Sequence, residues 1–184
     1  EDFCQVLGLS PQLKYESDGG PGIDACLNIL GKSQNAAADK QIFLLTQLGF
    51  WLLGAIDGHA KNFSIRLNAH DQYELTPLYD VLSVWPVIGK KSNQLPQNRA
   101  KMAMALRGRH PHYQINEIQT RHWQSTAKKY GGEQTWNNFL DMLHRVDGAV
   151  SRVKKQLPES FPIEVADKIF LGMQHQKEKF LKGM

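Results

Sequence analysis

Apolar positions recur at helical spacing over residues 36–53, where Ile42, Leu45, Leu48 and Leu52 share one face and Phe43, Leu44, Phe50, Trp51 and Leu53 fill much of the remaining circumference. A helix that is apolar on most sides belongs in the middle of a fold. Asn35 stands as its N-cap and Ala36, Ala37 and Ala38 form a strong first turn, so the pattern predicts a long central helix. Residues 63–67 then alternate as a strand, 68–72 make a polar turn and 73–76 return as a second strand, which predicts a hairpin. Upstream, a shorter helix is expected over residues 23–30, stopping at Gly31. Residues 81–87 stay apolar with Pro86 breaking any helix, and the polar, proline-containing residues 90–99 predict an exposed, mobile loop. The stretch 101–109 fits either strand or helix, and 114–118 is similarly short. From residue 120 the helical period returns over 120–130, closed by Gly131 and Gly132, then over 134–156 and 162–181. Trp136, Leu140, Leu143, Val146, Val150 and Val153 line one face of the second of these, while Pro162 opens the third and Lys177, Lys179 and Lys182 end it. The expected fold is mostly α with a small β-hairpin, in one domain over residues 1–184: residues 1–100 hold the loop and hairpin, and 101–184 form a helical bundle.

Composition narrows the class. A chain of 184 residues is long enough for one domain with a sizeable core. The net charge of +4 and pI near 9.0 suit an acidic or phosphorylated partner, but no run of five Lys or Arg marks a dedicated nucleic-acid binder. Cys4 and Cys26 lack metal-ligand spacing, and such sparse usage points to a reducing compartment, so a cytoplasmic location is expected. The most apolar segment, residues 43–56, falls short of the roughly 20 residues a bilayer requires, so no membrane partner is expected. The opening Glu1-Asp2-Phe3-Cys4 has no secretory character and reads as the start of a piece of a longer protein.

Three stretches carry candidate chemistry. Residues 15–22 place three glycines and a proline in eight positions, which invites a phosphate cradle. They match no phosphate-loop spacing, and Pro21 lacks the N–H such a cradle uses, so a connecting loop is the favoured reading. His110 and His112 have no carboxylate or cysteine nearby and read as a polar loop ahead of a metal site. The third stretch is the most informative: Asp57 and Asn62 stand in the spacing D-x-x-x-x-N, and Asp80 follows the predicted hairpin. Phosphoryl transfer needs a carboxylate to orient the attacking hydroxyl and oxygen ligands to hold magnesium against phosphates. Taken singly, Asp57-Gly58 is a common turn dipeptide, Asn62 a loop residue and Asp80 a cap. The order of buried helix, polar loop, hairpin and aspartate favours the site. His59 and Lys61 add polar groups to the same loop, as candidate contacts for nucleotide or phosphate, although each alone reads as a structural histidine and a solvated charge. A small metal hydrolase using Asp57, His59 and Asp80 is the competing enzyme class.

The strings Lys14-Tyr15-Glu16-Ser17-Asp18-Gly19-Gly20-Pro21-Gly22, Asp57-Gly58-His59-Ala60-Lys61-Asn62-Phe63-Ser64 and Leu75-Thr76-Pro77-Leu78-Tyr79-Asp80 closely resemble the C-terminal part of the HipA family, bacterial serine/threonine protein kinases that act as toxins of toxin–antitoxin pairs. The likeness runs on through Leu157-Pro158 and Phe161-Pro162. It implies the helical C-terminal lobe of a protein-kinase-like α+β fold, ATP and Mg2+ as cofactors, a protein substrate, and a HipB-like DNA-binding antitoxin through which alone DNA is approached. It further implies that Asp57 is catalytic, that Asn62 and Asp80 hold magnesium, and that His59, Lys61 and Tyr79 serve the nucleotide or its phosphates. Tyr79-Asp80-Val81-Leu82 lacks the Phe-Gly that follows the metal aspartate in ordinary protein kinases, which argues against the usual activation switch. No counterpart of the family's earlier lobe, with its phosphate loop and ATP-binding lysine, precedes the central helix. The chain by itself is therefore expected to be inactive, the alternative being a non-catalytic module that engages an antitoxin repressor.

Overall fold

Trp51 lies at the centre of the molecule, fully buried on the long helix α3 (Ala36–Leu53). Its ring meets Trp123 at 5.7 Å and Phe180 at 6.4 Å, and its Nε1 donates to the Ile115 carbonyl at 3.0 Å. A buried indole needs such a partner, so Trp51 ties three distant parts of the chain to α3. The computed structural model describes residues 1–184. Besides α3 it contains α1 (Phe3–Val6), α2 (Ile23–Leu30), α4 (Thr120–Tyr130), α5 (Gly132–Gln156) and α6 (Ile163–Lys182), with α2, α5 and α6 packed on α3. Phe43, Leu44, Leu48, Phe50 and Leu52 are all buried on it, as a helix apolar on most sides should be. Ile42 is half exposed on the outer surface, and Leu45 and Leu53 are partly buried. The helix begins where expected, but the Asn35 amide does not cap it and donates instead to Glu74 at 3.2 Å.

Two antiparallel hairpins complete the fold. In the expected one, β1 (Ile65–Leu67) pairs with β2 (Tyr73–Leu75) in the register Ile65 with Leu75. The second joins β3 (Lys101–Arg107) to β4 (Pro111–Gln114), where the sequence pattern left strand and helix open. The reason is burial on both faces: Met102 to Leu106 are all buried, so the strand carries no polar alternation. Residues 101–114 are thus sheet, and the helical bundle begins at α4. They also belong with the first half of the chain, because the Ala103 N–H donates to the Ile56 carbonyl at 2.9 Å and the Ala105 N–H to the Glu16 carboxylate at 2.7 Å.

Residues 90–99 are mostly exposed, with the base of the loop closed by Leu95 N–H on Val87 O and Gly89 N–H on Leu95 O. No helix is long and apolar enough to cross a membrane. The His110-Pro111-His112 stretch lies at the β3–β4 turn, and His112 stacks on the buried His122 of α4 with ring centroids 3.9 Å apart. Burial, with His112, Arg121 and Lys179 nearby, pushes the His122 imidazole down to about 4. Its Nδ1 accepts the Gln119 N–H at 3.1 Å, a bond that protonation removes. The unfolded imidazole titrates near 6.5, so between that pH and about 4 the unfolded chain binds more protons than the folded one. Stability is then complete above pH 6.5 and falls as the pH drops toward 4. Thermal unfolding from pH 7 to pH 4.5 is expected to show this fall in the wild type, and a shallower one in His122→Asn, which keeps an acceptor but cannot titrate.

Candidate active site

The site is built on the last turn of α3. Gly54, with φ +63°, reverses the chain, and the segment that follows is tied down by Ala55 N–H on Phe50 O and by Ile56 O on β3. Asp57 is left exposed on this support. Gly58 is a glycine for a reason its turn-like context does not show: its φ is not positive, and a Cβ there would lie 2.2 Å from the edge of the Phe50 ring. The loop thus lies directly on the central helix. His59 is buried behind it, edge-on to the Tyr15 ring at 5.1 Å, and burial, reinforced by the charge of Lys14, lowers its pKa. The shift favours its neutral form.

Asn62 ends a 3-10 turn over Ala60–Asn62 and is buried, and both ends of its amide are used. Its Oδ1 accepts the His59 N–H at 3.0 Å, and its Nδ2 donates to Asp80 Oδ2 at 2.8 Å. That bond joins the loop to the segment after the first hairpin, 18 residues on. Asp80 adopts a left-handed backbone, φ +56°, outside the hairpin turn that places His70 and Asp71 there. A non-glycine residue held so is strained, and such strain persists only where neighbours impose it. Here they do: Ser83 Oγ donates to Leu53 O at 2.6 Å, Val84 N–H to Gly54 O at 3.0 Å and Trp85 Nε1 to Leu52 O at 3.0 Å.

The structure therefore brings Asp57, His59, Asn62 and Asp80 to one end of α3. Lys61 is turned toward the N-terminal segment, with Nζ 2.9 Å from Asp2 Oδ2, an interaction that raises the lysine's pKa and lowers that of the aspartate. The Tyr79 hydroxyl donates to Lys61 O and receives the Ser64 hydroxyl, both at 2.7 Å, so its exposed ring is what it has left to offer. Asp80 and the second lone pair of Asn62 Oδ1 are hard oxygen donors, the kind magnesium takes in ones and twos, leaving phosphates and water to complete its shell. The residues fit that ion. No group of three or more His, Cys, Asp or Glu side chains converges anywhere, so neither Asp57, His59 and Asp80 nor the His110 and His112 pair makes a zinc-type cage.

Two residues escaped the sequence reading. Tyr15 donates its hydroxyl to Asp57 Oδ1 at 2.6 Å. Glu16, its side chain buried, accepts the Ala105 N–H and pairs with Arg107. Both lie in the glycine-rich stretch, and its glycines explain themselves around them. A Cβ on Gly20 would strike the Leu13 and Tyr15 carbonyls, and one on Gly22 the Glu16 carboxylate. The stretch is a tightly folded connection that carries Tyr15 to the site and Glu16 to β3. Since only the absence of a Cβ lets Gly58 sit on Phe50, Gly58→Ala is expected to cost about 1–3 kcal/mol, read as a lowered Tm.

A family model described as the HipA-like C-terminal domain matches residues 1–157. A putative kinase, Y4mE, of Sinorhizobium fredii is 36% identical over 132 residues, covering 71% of this chain and 29% of its own length. The serine/threonine-protein kinase toxin HipA of Shewanella oneidensis is 35% identical over 94 residues, 45% of this chain and 22% of its own. Among solved structures, a chain of the Shewanella oneidensis MR-1 toxin–antitoxin complex of HipA, HipB and operator DNA superposes with a TM-score of 0.83 at 23% identity, over 98% of this chain and 43% of that one. The match shows the same mostly helical fold, and this chain spans less than half the length of each of these proteins. With the family model covering most of its residues, the chain belongs to the HipA-like C-terminal domain family.

Proposed function

We propose that residues 1–184 form the C-terminal catalytic lobe of an ATP- and Mg2+-dependent serine/threonine protein kinase, the toxin of a bacterial toxin–antitoxin pair. The observation that carries the reading is the Asn62–Asp80 hydrogen bond, which joins the loop bearing Asp57 to the aspartate beyond the hairpin. In this reading the Asp57 carboxylate receives and orients the acceptor hydroxyl of the protein substrate. Asn62 and Asp80 hold magnesium, whose charge, when bound, offsets that of the phosphates being transferred. Neutral His59 and the exposed ring of Tyr79 border the nucleotide, and Lys61, which keeps two further N–H donors beside its bond to Asp2, serves phosphate or substrate.

The same geometry bears on what the chain does alone. The Asp2 carboxylate offsets the Lys61 charge, so this lysine can hydrogen-bond a phosphate but adds little net charge to hold a triphosphate. We therefore infer that the isolated chain is inactive and holds nucleotide weakly, which keeps a second role in view: engaging a HipB-like DNA-binding antitoxin. The solved relative is assembled with HipB and operator DNA. A net charge of only +4 favours DNA approached through such a partner over direct reading.

In the full-length protein, Asp57→Asn and Asp80→Ala are each expected to reduce phosphoryl transfer to protein by on the order of 10²-fold or more, measured with labelled ATP. Turnover at the wild-type rate in both variants would overturn the assignment. Calorimetry of the isolated chain with Mg-ATP is expected to show weak or no binding.

A further inference from the structure

An exposed carboxylate on a loop is free to rotate, yet a group that must receive one particular hydroxyl cannot be. Misplacement by about 1 Å costs on the order of 10²-fold in rate. The only protein partner of the Asp57 side chain is the Tyr15 hydroxyl, 2.6 Å from Oδ1, 42 residues away in sequence. A hydrogen bond to an ionised acceptor at this length is of the strong, charge-assisted class. We propose that Tyr15 is a positioning residue for Asp57: by occupying Oδ1 it fixes the carboxylate and leaves Oδ2 as the oxygen that meets the acceptor hydroxyl. The proposal rests on the reading of Asp57 given above.

What makes Tyr15 suited to this is its own anchorage. Its ring stands edge-on to His59, its carbonyl accepts Asp18 N–H at 3.1 Å and Gly20 N–H at 2.9 Å, and the preceding Lys14 carbonyl accepts Ala60 N–H at 3.3 Å. The following residue, Glu16, is bonded to Ala105 and Arg107 of β3. That strand in turn holds Ile56, next to Asp57, through Ala103. Tyr15 and Asp57 are thus two points on one closed circuit of covalent and hydrogen bonds, Tyr15 to Glu16 to β3 to Ile56 to Asp57, which holds their separation. The bond to Asp57, with burial, pushes the Tyr15 hydroxyl up to about 12, so it remains a donor throughout the working pH range.

An acceptor hydroxyl would make the same contact with Asp57, so the competing reading is that Tyr15 is itself phosphorylated. The anchorage opposes it, because a phosphorylated side chain would have to leave a seat fixed on both flanks. The test is steady-state kinetics of the full-length protein with Tyr15→Phe, which keeps the ring against His59 and removes only the hydroxyl, beside wild type and Asp57→Asn. Tyr15→Phe is expected to lower kcat by on the order of 10-fold with KM for ATP unchanged and Tm lowered only slightly, the protein remaining folded. An unchanged kcat in Tyr15→Phe, where Asp57→Asn is inactive, overturns the positioning role while leaving the kinase reading intact. A raised KM for ATP at unchanged kcat overturns it in favour of nucleotide contact. Phosphate found on Tyr15 by mass spectrometry after incubation with ATP overturns it in favour of modification. A wild-type protein without kinase activity, or a fully active Asp57→Asn, removes both readings together.

Discussion

The end of α3 is the constraint on which the rest depends. A helix leaves its last carbonyls without intrahelical partners, and inside a protein each must be answered. Here the Leu52 and Leu53 carbonyls are answered by Trp85 and Ser83, from the segment that carries Asp80, and the Gly54 carbonyl by the Val84 N–H. The chain leaving the helix at Gly54 is the segment that carries Asp57. One helix terminus thus locates both acidic residues. Glycine is required at Gly54 twice over, by its positive φ and by the Trp85 ring packed against it.

Rigidity follows from the same arrangement. Gly58 lies on the Phe50 ring, Asn62 bridges from the His59 backbone to Asp80, and β3 holds the loop from its other side at Ile56. Such a site is organised before anything binds, which is the condition under which fixed dipoles and carboxylates act on a reacting group without reorganising. The exposed apolar side chains beside Asp80, among them Leu78, Val81 and Leu82, stand in contrast to this polar centre. Of the positive charge near the site, that of Lys61 is offset by Asp2.

How far the sequence reaches can be judged residue by residue. The central helix and the three C-terminal helices announce themselves because each buries one face or nearly all of its surface, and burial leaves a period; the first hairpin is marked by the polar turn between its strands. The β3 strand does not, since a strand covered on both faces has no alternation to display. Asp57, Asn62 and Asp80 were legible as residue types at a spacing, while Gly58 was legible only as half of a turn dipeptide and owes its place to an aromatic ring eight residues back. Tyr15 and Glu16 were visible merely as neighbours of glycines, because hydrogen bonds spanning 42 and 89 residues leave no local trace.

By itself the sequence determined the helical character, the order of the elements and the chemical types available at the loop, because these follow from local periodicity and side-chain chemistry. Only the tertiary structure decided which of those groups meet. It turned Lys61 toward Asp2, set the Tyr79 hydroxyl against the Lys61 carbonyl, closed Asn62 on Asp80 and gave Asp57 its tyrosine. The physical reason is that each of these pairings joins segments far apart in the chain. Their separation in space is set by how α3 and β3 pack, a property that no single stretch of residues carries.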